Sequence, residues 1–170
     1  MKIKTFRYVA ALALLCGIGC VVFQMLFHTE SGTLLDYACP IVRILTCVFG
    51  IWYLLVGCSK KRGVVLFQAY YALFALVCFL LILGYINSSV GVGTILLAVR
   101  LLALIVLASV LDLGEKKSKW ITALIALLCL VSLALSEGDI LGSVCDTILG
   151  CASFVMVSGK YADKKARGSN

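Results

Sequence analysis

Apolar residues run along this chain in six blocks, at about residues 7–27, 34–57, 64–86, 91–113, 120–135 and 140–158, separated by short polar or charged intervals. A helix needs roughly 20 apolar residues to cross a bilayer, and most of the blocks reach that length. The fourth, Gly91 to Gly114, reads GVGTILLAVRLLALIVLASVLDLG and carries only Arg100 as a charge before Asp112. The fifth is the shortest. The pattern predicts an all-α integral membrane protein of six transmembrane helices, arranged as three α-hairpins in one polytopic domain spanning residues 1–170. No polar stretch reaches 20 residues, and Pro40 is the single proline, so a soluble domain or linker has no place.

The opening MKIKTFRYVAALALLCGIGC has the basic start and apolar run of a signal peptide, and Gly17-Ile18-Gly19-Cys20 is part of a lipoprotein cleavage site. Gly17, however, stands where such sites favour leucine, and the apolar run continues to Phe27. The segment therefore reads as a retained first helix. Ala10, Ala13 and Gly17 share one of its faces and form a small-residue strip suited to close contact with another helix.

The hairpins resemble one another. The odd helices contain AALALLC (10–16), ALFALVC (72–78) and ALIALLC (123–129). The even helices place Arg43, Arg100 and Asp146 at matching positions, each fourteen residues before Gly57, Gly114 or Lys160. These matches predict a degenerate threefold repeat whose copies enter the membrane from the same side.

Composition agrees with the pattern, since 63% of residues are hydrophobic, against the roughly 45–50% of soluble domains. A net charge of +7 raises the question of nucleic acid, which the distribution answers. Thirteen of the fifteen Lys and Arg residues lie in four clusters, at 2–7, 60–62, 116–119 and 160–167. The intervening turns have none. This is the positive-inside pattern, placing both termini in the cytoplasm, with the clusters against anionic lipid headgroups. It excludes nucleic acid and suits a bacterial cytoplasmic membrane.

The two basic residues outside the clusters are Arg43 and Arg100, and Asp146 joins them inside a span. Each costs about 2.5–3.5 kcal/mol at a helix centre, so all three are expected to face protein. Asp146 shares a stripe with Gly142, Gly150 and Ser153, and Arg43 with Cys47, Gly50 and Gly57; Arg100 has Leu96, Ala103 and Leu107 around it. Arg43 lies 17 residues before Lys60, and Arg100 lies 16 before Lys116. At about 1.5 Å per residue, both sit roughly 25 Å from the cytoplasmic side, in the outer half of the membrane. Two guanidiniums and one carboxylate would leave one net positive charge for an anionic solute. Gln24, Gln68 and Tyr71 are candidate polar neighbours.

Other chemistry finds little support. The nine cysteines include no CxxC and match no zinc spacing, so they read as small apolar residues. No HExxH, GxSxG or glycine-rich phosphate loop is present, and His28 stands alone in a turn. The chain is expected to be no enzyme, with no catalytic residue, cofactor or metal.

In size, in its six helices and in the strip Ala10, Ala13 and Gly17, the chain resembles the vitamin-uptake S components of energy-coupling-factor transporters. That resemblance implies a solute-binding subunit working beside partner subunits. Mitochondrial carriers are also three hairpins, but their Pro-x-acid-x-x-base signature is absent, and Pro40 begins no such motif. The expected function is a channel or carrier for a small polar or anionic solute, with Arg43, Arg100, Asp146, Gln24 and Tyr71 as its contacts. The alternative is a non-transporting scaffold, regulatory or S-component-like subunit. There Arg43, Arg100 and Asp146 form a structural lock, and Ala10, Ala13 and Gly17 dock a partner. The expected partners are the lipid bilayer, the solute, and further copies or partner membrane subunits.

Overall fold

In a computed structural model the chain forms six α-helices: α1 (Lys2–Phe27), α2 (Leu34–Val56), α3 (Lys61–Ile86), α4 (Val92–Ser109), α5 (Glu115–Leu135) and α6 (Ile140–Gly168). The structure describes residues 2–27, 34–56, 61–86, 92–109, 115–136 and 139–168. His28 and most of the intervening turns lie outside them. Five of the helices are long and apolar enough to cross a membrane, which fits a membrane-embedded all-α protein.

Helix ends differ from the apolar blocks in an instructive way. The stretch singled out by its hydropathy, α4, is the short one among the described residues, with an apolar run of Thr94–Leu107. Conversely, α5 begins at Glu115, five residues before its apolar block, and its apolar window runs Lys117–Leu135. At the far end, α6 continues through the basic tail to Gly168. Glu, Lys and Ala are strong helix formers, so a helix runs past the point where its sequence turns polar.

The helices pack in chain order as a closed ring, each against its neighbours and α6 against α1, with α2 also touching α6. Direction follows from the pairings. Gln24 meets Asp139 near one end of α6, and Arg7 meets the carbonyl of Gly159 near the other, so α1 and α6 run antiparallel. Arg43 pairs with Asp146 and Tyr53 with Met156, so α2 and α6 run parallel.

Each of the other helices shares a polar bond with α6. Tyr70 on α3 donates to the carbonyl of Leu149 at 2.7 Å, and Tyr71 donates to that of Ser153 at 3.3 Å. Thr147 on α6 donates to the carbonyl of Cys129 on α5 at 3.3 Å, and Arg100 on α4 reaches Asp146. Accordingly α6 has the most buried apolar window of the five long helices, 56%, against 28% for α1. Outward-facing positions are apolar instead: Leu12, Leu26, Leu55, Val65, Ile105 and Trp120 are all exposed. A surface of this kind belongs against lipid rather than water.

One close approach fixes the core. A side chain on Gly50 of α2 would come within 2.9 Å of Leu14 Cδ1 and Tyr70 Cε2 and 3.0 Å of Met156 Cε. Helices α1, α3 and α6 thus all press on the one position where α2 has no side chain. Gly19 on α1, by contrast, has nothing within 4 Å of that point. Gly50→Ala is therefore expected to destabilise the folded chain by about 1–3 kcal/mol through overpacking. Gly19→Ala is expected to be neutral or to stabilise by up to about 1 kcal/mol through helix propensity. Equilibrium unfolding of both variants in the same detergent checks the pair; equal effects would contradict this packing.

Candidate functional site

The three charges inside the helices meet. Arg43 and Arg100 are each 1% exposed and Asp146 is fully buried. Arg43 holds the Asp146 carboxylate side-on: its Nε donates to Oδ1 at 2.9 Å and its Nη2 to Oδ2 at 3.0 Å. Two parallel charge-assisted bonds of this kind fix both distance and orientation. From the other side, Arg100 Nη2 donates to the same Oδ2 at 2.6 Å. One carboxylate therefore ties α2, α4 and α6 together.

A second carboxylate joins them that sequence reading leaves in a turn. Asp139 Oδ2 accepts from Arg43 Nη1 at 3.1 Å, while its Oδ1 accepts from Gln24 Nε2 at 2.7 Å. The same Oδ1 accepts the backbone N–H of Gly142 at 3.0 Å, and Ser143 N–H bonds the Asp139 carbonyl at 3.0 Å. Asp139 is thus the N-cap of α6, at the end of the helix dipole that favours an anion. Gly142 makes room for this crossing, since a Cβ there would collide with Arg43 Nη1 and the Asp139 carboxylate. Its trace in the sequence is spacing alone: Asp139 precedes Asp146 by seven residues, two turns along one face, and immediately precedes the helix.

Asp139 also changes the charge balance. The four groups together carry two positive and two negative charges, so the net positive charge expected from Arg43, Arg100 and Asp146 alone is offset. The offset is uneven, because the Asp139 side chain is 31% exposed and sits on Arg43. Every nitrogen of the Arg43 guanidinium has a carboxylate partner. Arg100 has one bond, to an oxygen it shares, and its Nε and Nη1 are buried without a hydrogen-bond partner among the described residues. The thiols of Cys78 on α3 and Cys129 on α5 are neighbours of Arg100. The Cys78 thiol lies against the Arg100 guanidinium as a weak sulfur contact, and Nε and Nη1 are left without a full hydrogen bond among the described residues.

The remaining candidates separate. Gln24 joins the charged layer through Asp139, while its Oε1 is buried and unpaired among the described residues. Tyr71 lies in a different layer, donating to the carbonyl of Ser153, with its ring tilted against that of Phe67 at 4.7 Å between centroids. Gln68 is exposed. Of the small-residue strip, Gly17 is buried, and a Cβ on it would touch the sulfurs of Cys145 and Cys47 at 3.4 and 3.7 Å. Those two thiols lie 3.8 Å apart across α2 and α6. Ala10 and Ala13 line an open apolar groove of about 240 Å³ between α1 and α6, with Ile148 and Ala152 opposite. The strip therefore packs within the bundle at Gly17 and reaches its surface at Ala13. Among the described residues no cluster of three or more His, Cys, Asp or Glu side chains could hold a metal ion.

Asp146→Asn leaves two buried guanidiniums without their shared anion and is expected to cost about 3–5 kcal/mol of folding stability. Asp139→Asn keeps a good N-cap and removes a partly exposed charge, so roughly 1 kcal/mol or less is expected. Denaturant unfolding of the two purified variants compares them directly, and equal losses would overturn the assignment of Asp146 as the hub.

No family, curated protein or solved structure matches the chain.

Proposed function

We propose that this chain is a small polytopic membrane protein of transport type, a channel or carrier, which meets a small polar solute through Arg100. The observation that carries the reading is the contrast between the two arginines. Arg43 is paired at all three nitrogens, whereas Arg100 keeps Nε and Nη1 buried and unpartnered among the described residues. A guanidinium that served only to hold helices together would gain from being satisfied in full. An unmade hydrogen bond to a buried donor costs about 1–3 kcal/mol, more when the group is charged. Ionisable groups kept inside a membrane at such cost mark solute and ion pathways by default.

In this reading Arg43, Asp139, Asp146 and Gln24 form the frame, Arg100 is the contact, and Tyr71 anchors α3 to α6. Both termini are cytoplasmic in a bacterial inner membrane, and the three hairpins form a parallel repeat. The four basic clusters support the orientation. So do Arg7 at Gly159, Ser118 at Tyr161 and Lys160 over Phe67, which gather at one end of α6. The meeting of residues 43, 100 and 146 supports the repeat alignment. The reading assigns no catalytic step and no cofactor. Anionic lipids cover the basic end, and further copies or partner subunits complete the pathway.

A second reading is favoured by the burial of Arg43, Arg100 and Asp146 and by the neutrality that Asp139 brings. A non-transporting scaffold, regulatory or solute-binding subunit of a larger complex would have such a sealed centre, with the charges as a lock.

Cys78 separates the two readings. In a chain that keeps Cys78 and has the other eight cysteines replaced, a membrane-impermeant maleimide added outside is expected to label Cys78. A Ser88→Cys chain without other cysteines reports that the reagent reaches the outer turns. If the Ser88→Cys chain reacts and Cys78 does not, water has no path to Arg100 and the transport reading is lost to the lock.

A further inference from the structure

We propose that the free nitrogens of Arg100 bind a small monovalent anion. The inference rests on the reading above that Arg100 meets a solute, and it names the class of that solute. Three observations lead to it.

The first is hydrogen bonding. Nε carries one N–H and Nη1 carries two, and a guanidinium accepts nothing, so the missing partner is an acceptor. The second is local charge. The fully buried groups are Arg43, Arg100 and Asp146, which sum to one positive charge. Asp139, the fourth member, lies against Arg43 and not Arg100, and is partly exposed. Asp146 gives Arg43 both oxygens and Arg100 only one. The uncompensated charge is therefore on Arg100. A neutral acceptor would satisfy its N–H groups and leave that charge; a dianion would overshoot it in a medium where every unpaired charge is costly. A monoanion corrects both.

The third is the wall. Arg100 is faced by the thiols of Cys78 and Cys129, and the Cys78 thiol contacts the guanidinium; a thiol sulfur is only a weak acceptor and does not take the place of an anion there. Arg43 contributes position rather than contact, since all of its nitrogens are already taken. Asp139 accepts from Arg43 and Gln24 and is not bonded to Arg100. Chloride, bromide and formate are the simplest members of the class.

The test uses the full chain purified in detergent. Its melting temperature is read against chloride, bromide and formate, against sulfate at matched ionic strength, and against urea as a neutral hydrogen-bonding solute. Binding to the folded state raises the melting temperature in a saturable way. The monoanions are expected to do so, and Arg100→Lys, which keeps the charge and loses the planar donors, is expected to need at least tenfold more anion. Chloride-35 line broadening by the unmodified chain, reversed by bromide, gives the same information if Arg100→Lys fails to fold. A shift with urea as large as that with the monoanions would overturn the anion and leave a solute at Arg100. No shift and no broadening, with Cys78 labelled from outside, would overturn this inference alone. No shift, no broadening and an unlabelled Cys78 would overturn both it and the transport reading.

Discussion

A single carboxylate, Asp146, sets the terms for this fold. In a medium without water an unpaired charge is far more expensive than a lost apolar contact, so two arginines and one aspartate have few arrangements open to them. Three bonds from two guanidiniums settle which faces of α2, α4 and α6 point inward and how far along each helix they align. Apolar packing then fills in around a register that electrostatics has chosen. Gly50 is one mark of that order, since α2 can sit where Asp146 requires only by giving up a side chain there.

The bundle is consequently polar at its centre and apolar outside. Between spans, lipid and side chains are equally apolar, and what holds helices together is hydrogen bonding, close contact of small residues, and ion pairing. All three converge on α6. Tyrosine hydroxyls bond its carbonyls, Gly17 lets α1 approach the Cys145 sulfur, and both aspartates stand at its start. The same convergence explains why a helix with two acidic residues at one end and a basic tail at the other is the best buried of the long spans.

Much of this was legible in the sequence because the background is so apolar. Arg43, Arg100 and Asp146 stood out as charges with nowhere else to go, and their meeting follows from cost alone. Asp139 was less legible, because a residue just outside an apolar block reads as a turn, and hydropathy gives it no reason to point inward. Its cap on α6 is local, but its bond to Arg43 depends on where α2 crosses the helix start, which no local pattern carries. The helical reach of α5 and α6 beyond their apolar blocks is hidden from hydropathy for a related reason. Hydropathy measures the apolar part of a helix, whereas Glu115, Lys117 and the residues after Ser158 extend helices with polar side chains. Tyr71 was placed by polarity alone, and its partner proved to be a carbonyl one layer away from the charges.

Asp146 follows Arg43 by 103 residues and Arg100 by 46. During synthesis both arginines therefore emerge well before the group that neutralises them. Until α6 arrives, the earlier helices hold two guanidiniums that the bilayer disfavours by about 2.5–3.5 kcal/mol each on insertion scales. The charged layer therefore closes only when the last helix is in place, and completion of the chain and completion of its ion pairs are one event.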